Sequence, residues 1–138
     1  MLKDLKNLRF INMAGGIYNE TYFKNNPEEK EVEGVLYGVI LVNKKSWARE
    51  CIKVGIAKGK DWRHIIKRSH GFKGYEIRIQ RTFSASLYKV WQYEQRLHKA
   101  FAEHSYKPKV KFGGHTECLT MDSGILKAFP DREGEIWV

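Results

Sequence analysis

The longest apolar run of the chain extends from Val35 to Val42 and is interrupted only by Gly38. It lacks the alternation of a half-buried strand and is far too short to cross a bilayer, so it predicts a strand covered on both faces. Residues 51–57 predict a second strand, and the short polar connection between the two favours an antiparallel pair. A chain of 138 residues fits one domain around such a core.

Periodicity and turn signals predict the remaining elements. They are a short helix that begins near residue 62 and stops before Gly71, a half-buried strand at 75–83, a long helix from Ser84 or Ser86 to about Ser105, and a shorter helix from Asp122 to near Pro130. We therefore predict an α+β fold in which helices flank a small three-stranded antiparallel sheet. Residues 1–33 carry loop signals and are predicted to form an N-terminal arm and linker ahead of a domain at 34–138.

Basic residues outnumber acidic residues by 25 to 16, which gives the chain a formal net charge of +9. Such an excess favours a polyanionic partner, most often nucleic acid, although a basic surface without a partner has the same composition. Cys51 and Cys118 form neither a disulfide framework nor a C-x-x-C pair, which favours a reducing compartment. Since we expect no signal peptide and no membrane-spanning run, we predict a cytoplasmic protein without membrane contact.

The long helix carries a carboxylate where an apolar residue is expected. Its apolar stripe consists of Leu87, Val90, Trp91, Leu97 and Phe101. Glu94 falls near the centre of that stripe, and His98 follows one turn later. A buried carboxylate must be paired, protonated or bound to a metal, and hard cations such as Mg²⁺ bind carboxylate oxygens. The alternative interpretation is that Glu94 pairs with a basic residue of the sheet and that His98 is a hydrogen-bonded core histidine.

The second strand places Lys53 on the same face as Gly55 and Ala57. These small neighbours predict open space above the lysine, as in the floor of a binding site, whereas the alternative is an ordinary edge lysine. Arg63 lies in the first turn of the short helix, and a helix N-terminus with an arginine and a lysine suits phosphate binding. Further basic residues surround it, namely Lys58, Lys60, Lys67 and Arg68.

Taken in order, short motifs within residues 34–121 resemble those of the GIY-YIG nuclease superfamily. The first family motif resembles Val35-Leu36-Tyr37, and the second resembles Lys53-Val54-Gly55, with lysine in place of tyrosine as in a short phage-type branch. The family arginine matches Arg63, and the family glutamate matches Glu94. The late Thr-Glu segment of that branch is similar to Thr116-Glu117. The chain departs from the family in its longer connection between the first two motifs and in lacking an obvious late asparagine.

The resemblance implies a GIY-YIG-like fold and a metal-dependent endonuclease that hydrolyses DNA phosphodiester bonds by nicking or double-strand cutting. It implies a catalytic group in which Tyr37 is the general base, Lys53 favours its phenolate, Arg63 holds the scissile phosphate and Glu94 binds Mg²⁺ or Mn²⁺. Glu117 is a second candidate metal ligand, or else the partner of a basic group. Expected substrate contacts are Lys58, Lys60, Lys67, Arg68 and His98. A phage-encoded chain would act in the host cytoplasm.

Other interpretations of the same residues stay open. A basic nucleic-acid-binding module without catalysis fits the charge and the aromatic residues equally well, and RNA is an alternative substrate. His115 and Cys118 could hold zinc with Cys51 or His104, although this spacing lacks a clear partner pair. A phage protein that binds an acidic host protein is a further alternative.

Target selection is not explained by the predicted core, which has no helix-turn-helix or zinc finger beside it. It would come from the loops of the core, residues 1–33, a homodimer or a partner protein. The connection from Asn43 to Glu50 is the candidate DNA-contacting loop, because it carries Lys44, Lys45, Trp47 and Arg49. A solvated hairpin loop is an equally good interpretation.

Overall fold

The structure, a computed structural model, describes residues 17–59, 61–69, 71–112 and 117–131, without the side chains of residues 62, 68 and 69. In chain order the helices and strands are α1 (Glu20–Asn25), β1 (Glu33–Asn43), β2 (Arg49–Lys58), α2 (Trp62–Ser69), β3 (Tyr75–Ser86), α3 (Leu87–Ala100) and β4 (Cys118–Leu119). Short 3₁₀ turns occupy Pro27–Glu31, Ala102–His104 and Ile125–Ala128. The α+β class predicted from the sequence is therefore confirmed.

The sheet is antiparallel throughout, with the strand order β3-β1-β2-β4. The prediction of three strands is wrong, because Cys118–Leu119 adds a fourth strand along β2. Two residues cannot carry a periodic pattern, so sequence alone does not predict this strand. In the β1–β2 pair, Tyr37 lies directly opposite Gly55. In the β2–β4 pair, Lys53 lies opposite Cys118.

Strand β1 is buried on both faces, as its continuous apolar run predicts. One face of the sheet packs against α3, α1 and the 3₁₀ turn at Ile125–Ala128, and this cluster includes Leu36, Ile40, Val54, Leu97 and Phe129. The opposite face packs against α2 and two loop segments, and this second cluster includes Val39, Leu41, Ile65, Phe72 and Phe112. Alternate residues of one strand thus serve two separate cores.

Helix α3 begins where Ser86 Oγ accepts a hydrogen bond from Lys89 N at 3.3 Å. A Cβ at Gly34 would lie 2.9 Å from Leu87 Cα, so the glycine allows β1 to approach the start of this helix closely. The helix ends at Ala100 and a 3₁₀ turn follows it, which corrects the predicted end near Ser105. Glu94 is buried among the apolar residues of α3, as predicted.

The segment before β1 is more ordered than its loop signals predict. Asn19 Oδ1 caps α1 by accepting from Tyr22 N at 2.7 Å. Phe23 in α1 is fully buried, with its ring centroid 5.6 Å from that of Trp91. Residues 20–31 therefore pack on the domain through α1 and a 3₁₀ turn, which corrects the loop expected at 25–33. The division at residue 33 stays a prediction, and residues 1–16 of the predicted arm lie outside the described residues.

The shorter C-terminal helix is a 3₁₀ turn at Ile125–Ala128 and not an α-helix that starts at Asp122. Gly124 precedes it with a φ of 82°, a left-handed conformation that glycine adopts without strain. Asp122 instead accepts a hydrogen bond from the Thr120 hydroxyl at 2.8 Å. Within the described ranges, no helix has both the length and the apolar character needed to cross a membrane.

Candidate active site at the edge of the sheet

Lys53 is fully buried, and its ammonium group forms an ion pair with Glu117. Lys53 Nζ donates a hydrogen bond to Glu117 Oε1 at 2.7 Å and lies 5.4 Å from the centroid of the Phe72 ring. The prediction of open space above Lys53 is therefore wrong, because Phe72 and Glu117 lie against its ammonium group. A cation without access to water must be paired, which explains the short contact with Glu117.

Tyr37 shares the buried space around Lys53. A Cβ built on Gly55 would lie 2.7 Å from the Tyr37 hydroxyl and 3.4 Å from Lys53 Nζ. Glycine at position 55 is therefore what lets the phenol and the ammonium group approach each other. Burial lowers the pKa of Lys53, but interactions with Tyr37 and Glu117 raise it more, so the pKa lies above its ordinary value and the side chain stays cationic.

Helix α3 brings His98 and Glu94 to the same part of β2. His98 Nε2 lies 3.0 Å from the carbonyl oxygen of Val54, the residue after Lys53, and 3.9 Å from Glu94 Oε2. Because a carbonyl oxygen only accepts, Nε2 carries a proton and the neutral ring keeps its lone pair on Nδ1. Burial and Lys53 lower the pKa of His98, outweighing Glu117 and the Val54 hydrogen bond, which raise it.

The five side chains around this part of β2 differ in how much of their surface is exposed to solvent. Tyr37 and Lys53 have no exposed surface, and the Glu94 side chain is only 4% exposed. The side chains of Glu117 and His98 are 16% and 24% exposed. We call these five residues the edge cluster: Tyr37 and Lys53 lie on one face of the sheet, and Glu94 and His98 reach β2 from the opposite face, which packs against α3. Its solvent-facing side is formed by the more exposed side chains of Glu117 and His98.

Arg63 lies apart from this buried group, at the surface of the first turn of α2. Its side chain is 72% exposed, and Nη2 lies 2.6 Å from Asp61 Oδ2. Asp61 Oδ1 also accepts a hydrogen bond from Arg63 N at 3.0 Å, as the side chain of an N-cap residue does. The hydrogen bond from Arg63 holds the pKa of Asp61 at about 2. The arginine is thus held on an aspartate, in contrast to the buried positions of Tyr37 and Lys53.

The other predicted basic contacts lie on the surface where the structure describes them. Lys58 Nζ forms an ion pair with Glu29 Oε1 at 2.8 Å, and Lys67 is exposed. Lys60 and the Arg68 side chain lie outside the described residues, as does Thr116. The substrate contacts assigned to these residues stay predictions.

In the part of the chain that the structure describes, few side chains that could bind a metal ion lie close to one another. No group of three or more His, Cys, Asp or Glu side chains is arranged there to hold an ion. The two predicted carboxylate ligands are Glu94, buried on α3, and Glu117, bonded to Lys53. Of the residues considered for zinc, Cys51 and Cys118 are buried, and His115 lies outside the described ranges.

Glu50 is a structurally important carboxylate that no periodic pattern reveals. It accepts hydrogen bonds from Asn43 Nδ2, the hydroxyls of Tyr75 and Tyr106, and Lys109 N, at distances of 2.8–3.0 Å. These bonds fasten the segment around residues 106–109 to the ends of β1, β2 and β3. Since Phe112 of the second cluster follows this segment, Glu50 helps to hold the cover of the edge cluster in place.

Glu50→Gln should lower the free energy of unfolding at pH 7 by about 1–3 kcal/mol, because an amide cannot accept hydrogen bonds at both of its polar atoms. Burial raises the pKa of Glu50, but its hydrogen bonds lower it more, to below 4.5. The carboxylate therefore stabilises the fold above that pH, and the stabilisation is lost as pH falls through the folded pKa. Urea unfolding between neutral pH and about pH 3 should show a smaller loss of stability for the variant than for wild type. Equal losses would contradict this role, and the exposed Glu103→Gln serves as the control.

No family model matches the chain, and no match was found among curated proteins or solved structures. The resemblance to GIY-YIG nucleases therefore rests on the short sequence motifs alone.

Proposed function

We propose that this protein is a divalent-metal-dependent endodeoxyribonuclease that hydrolyses phosphodiester bonds at the edge cluster. The observation that carries the proposal is the fully buried Lys53, ion-paired with Glu117 and adjacent to the Tyr37 hydroxyl. Burying ionisable groups is costly, and clusters of them beside a solvent-facing edge are typical of catalytic sites. Glu94 and His98 supply a carboxylate and an imidazole at the same strand, from the face of β2 that packs against α3.

Glu94 and Glu117 offer the carboxylate oxygens that Mg²⁺ and Mn²⁺ bind, and an ion held by them would keep most of its water ligands. Mg²⁺ commonly takes one or two protein carboxylates and completes its shell with water and substrate oxygens. Glu94 would be the main ligand, with Glu117 as the second carboxylate. When bound, the ion would offset negative charge on the phosphate and on the leaving oxygen.

Tyr37 and His98 are the two candidate general bases of the edge cluster. The cation of Lys53 beside Tyr37 favours its phenolate, whereas the burial of Tyr37 favours the protonated phenol. His98 is the alternative base, because its neutral ring carries a lone pair on Nδ1 and its side chain is partly exposed. Tyr37 is the base that the family resemblance implies, whereas His98 is the base that a substrate at the solvent-facing side would meet first.

Arg63 would bind the scissile phosphate by exchanging its carboxylate partner for the substrate. A guanidinium group pairs with either anion through two parallel hydrogen bonds, so phosphate can replace Asp61 in the same geometry. The exposed position of Arg63 leaves it accessible to DNA before any contact with the buried residues forms.

A cleavage assay on supercoiled plasmid DNA tests the proposal. Wild-type protein with Mg²⁺ should convert the plasmid to nicked or linear DNA, and EDTA should stop the conversion. Arg63→Ala should reduce the cleavage rate roughly 100-fold, the size typical of removing one transition-state hydrogen-bond donor, and Lys127→Ala, an exposed lysine on another surface, should cleave normally. Retardation of the plasmid without any nicking would contradict the proposal.

A non-catalytic nucleic-acid-binding module is the second candidate, and the burial of Tyr37 and Lys53 favours it. Neither side chain reaches solvent, so a substrate would have to displace part of the aromatic cover to touch both. The plasmid assay separates the two candidates, because a binding module retards DNA and leaves it intact. Repeating the assay with structured RNA tests whether the substrate is RNA instead.

A further inference from the structure

The turn between β1 and β2 presents a tryptophan to solvent. Trp47 is 61% exposed, far more than the tryptophan in the core of α3. It also has a φ of 61°, a left-handed conformation that bulky residues rarely adopt. An exposed indole held in an unfavourable backbone conformation indicates a residue that is displayed for contact and not for packing.

Hydrogen bonds to Asn43 hold this turn in place. Asn43 Oδ1 accepts from Lys45 N at 2.8 Å and from Ser46 N at 3.3 Å, while its carbonyl oxygen accepts from Trp47 N at 2.7 Å. The Asn43 amide donates to Glu50 Oε1 at 2.9 Å, which links the turn to the bonds that anchor Glu50. The turn is therefore preorganised, so little ordering is needed when Trp47 meets a ligand.

Positive charge surrounds Trp47 and is not neutralised locally. Lys44, Lys45 and Arg49 are exposed, and no carboxylate of the described residues forms an ion pair with any of them. Several cations elsewhere in the described residues do have such partners, among them Lys53, Lys58, Arg63, Arg78 and Arg81. The turn is thus a place where the excess charge of the chain remains available to an anion.

A cleft of about 680 Å³ extends this surface from the turn. Its polar lining consists of Lys44, Lys73, Arg78 and Glu76, beside the buried rings of Phe72 and Tyr75. Lys44 N donates to the carbonyl oxygen of Gly74 at 2.9 Å, which fixes the turn against the segment that carries Lys73. Three basic side chains against one carboxylate suit the phosphates of a flexible polyanion.

We infer that this hairpin binds single-stranded DNA by stacking Trp47 on an exposed base while Lys44, Lys45 and Arg49 contact the neighbouring phosphates. An indole ring needs the open face of a base, and bases inside a duplex are covered by their neighbours. A lipid surface is a poorer fit, since the other residues of the turn are polar or charged and offer no apolar face to insert. Trp47 follows Tyr37 by ten positions, and the hairpin end of β1 lies roughly 20 Å from Tyr37 along the strand, so this contact is separate from the edge cluster. The inference rests on the proposed function only in taking DNA as the ligand.

Fluorescence anisotropy with a labelled twelve-nucleotide oligo(dT), recorded in EDTA so that no cleavage intervenes, tests the inference. Trp47→Ala should weaken binding about 10-fold or more, the effect expected from losing one base stack. Trp47→Phe should retain most of the affinity, because a smaller ring still stacks. The control Met121→Ala, which removes another exposed apolar side chain, should bind like wild type.

The charged residues give a second readout that a folding defect would not mimic. Lys44→Gln with Lys45→Gln should reduce the slope of log affinity against log salt by about 0.7 for each lysine, as expected for single strands. Wild-type affinity in Trp47→Ala would overturn the inference, as would a Trp47-dependent preference for duplex over oligo(dT) or for anionic phosphatidylserine vesicles over any DNA. Trp47-dependent binding by a protein that never nicks plasmid would uphold the inference and contradict the nuclease proposal, whereas Mg²⁺-dependent nicking with Trp47-independent binding would do the reverse.

Discussion

Glu117→Met should lower the free energy of unfolding by about 3–5 kcal/mol, because it leaves the Lys53 ammonium buried without its anion. Lys53 has no exposed surface, so water cannot replace the lost carboxylate unless the fold opens. The reciprocal change, Lys53→Met, should cost less, since the Glu117 side chain keeps some contact with solvent. The larger loss of stability in Glu117→Met than in Lys53→Met follows from the deeper burial of Lys53 and does not depend on catalysis.

The double substitution Lys53→Met with Glu117→Met should recover most of the stability lost in Glu117→Met. Two apolar side chains of similar length remove both charges, so neither desolvation penalty remains. Urea unfolding of the four proteins forms a double-mutant cycle that isolates the pair. Lys58→Met, which breaks the exposed pair with Glu29, should cost less than about 1 kcal/mol. If Glu117→Met lowered the free energy of unfolding by less than about 1 kcal/mol, as expected for an exposed ion pair, the burial of the Lys53–Glu117 pair would be contradicted.

Glu94→Gln should reduce DNA cleavage roughly 100-fold or more, because a metal ion contributes several kcal/mol of charge stabilisation in phosphoryl chemistry. Glutamine has nearly the same shape as glutamate but lacks the charge that would hold the ion. Because it fills the same space on the buried face of α3 and keeps a carbonyl oxygen that accepts hydrogen bonds, the variant should still fold. Loss of activity with retained stability separates a catalytic role from the alternative in which Glu94 is a structural ion-pair partner.

Glu103→Gln provides the matched control for this measurement. Glu103 is exposed in the 3₁₀ turn that follows α3, so its substitution makes the same change in net charge outside the edge cluster. Cleavage rates and urea unfolding curves should both match those of wild type. A comparable loss of cleavage in Glu103→Gln would mean that net charge, and not the Glu94 carboxylate, controls the activity.

Long periodic segments allowed the main elements to be predicted from the sequence. The continuous apolar run of β1 is long enough to identify a buried strand, and the apolar stripe of α3 is long enough to show a helical period. The buried position of Glu94 followed from the stripe of α3. Elements that are short, or that depend on tertiary contacts, were missed because they carry no periodic pattern in the sequence. Strand β4 has two residues, and its pairing with β2 depends on contacts far apart in the chain.

The same limit applies to the residues of the candidate site. The small neighbours of Lys53 led to the wrong prediction of open space, because the sequence does not show which distant residues cover this face, and Phe72 and Glu117 do. Helical position placed Arg63 at the start of α2, whereas its pairing with Asp61 depends on side-chain geometry. Glu50 was missed because its partners come from three separate segments and form no local pattern.

The rate of plasmid nicking by wild-type protein and Glu94→Gln, purified identically and assayed with Mg²⁺ in parallel, decides whether the edge cluster is a nuclease site. A contaminating nuclease would be present in both preparations, so the difference between them reports on this chain alone. We predict nicking by the wild-type protein that EDTA abolishes, and little or none by Glu94→Gln. Equal nicking by both proteins, or no nicking by the wild type, would contradict a catalytic role for the edge cluster.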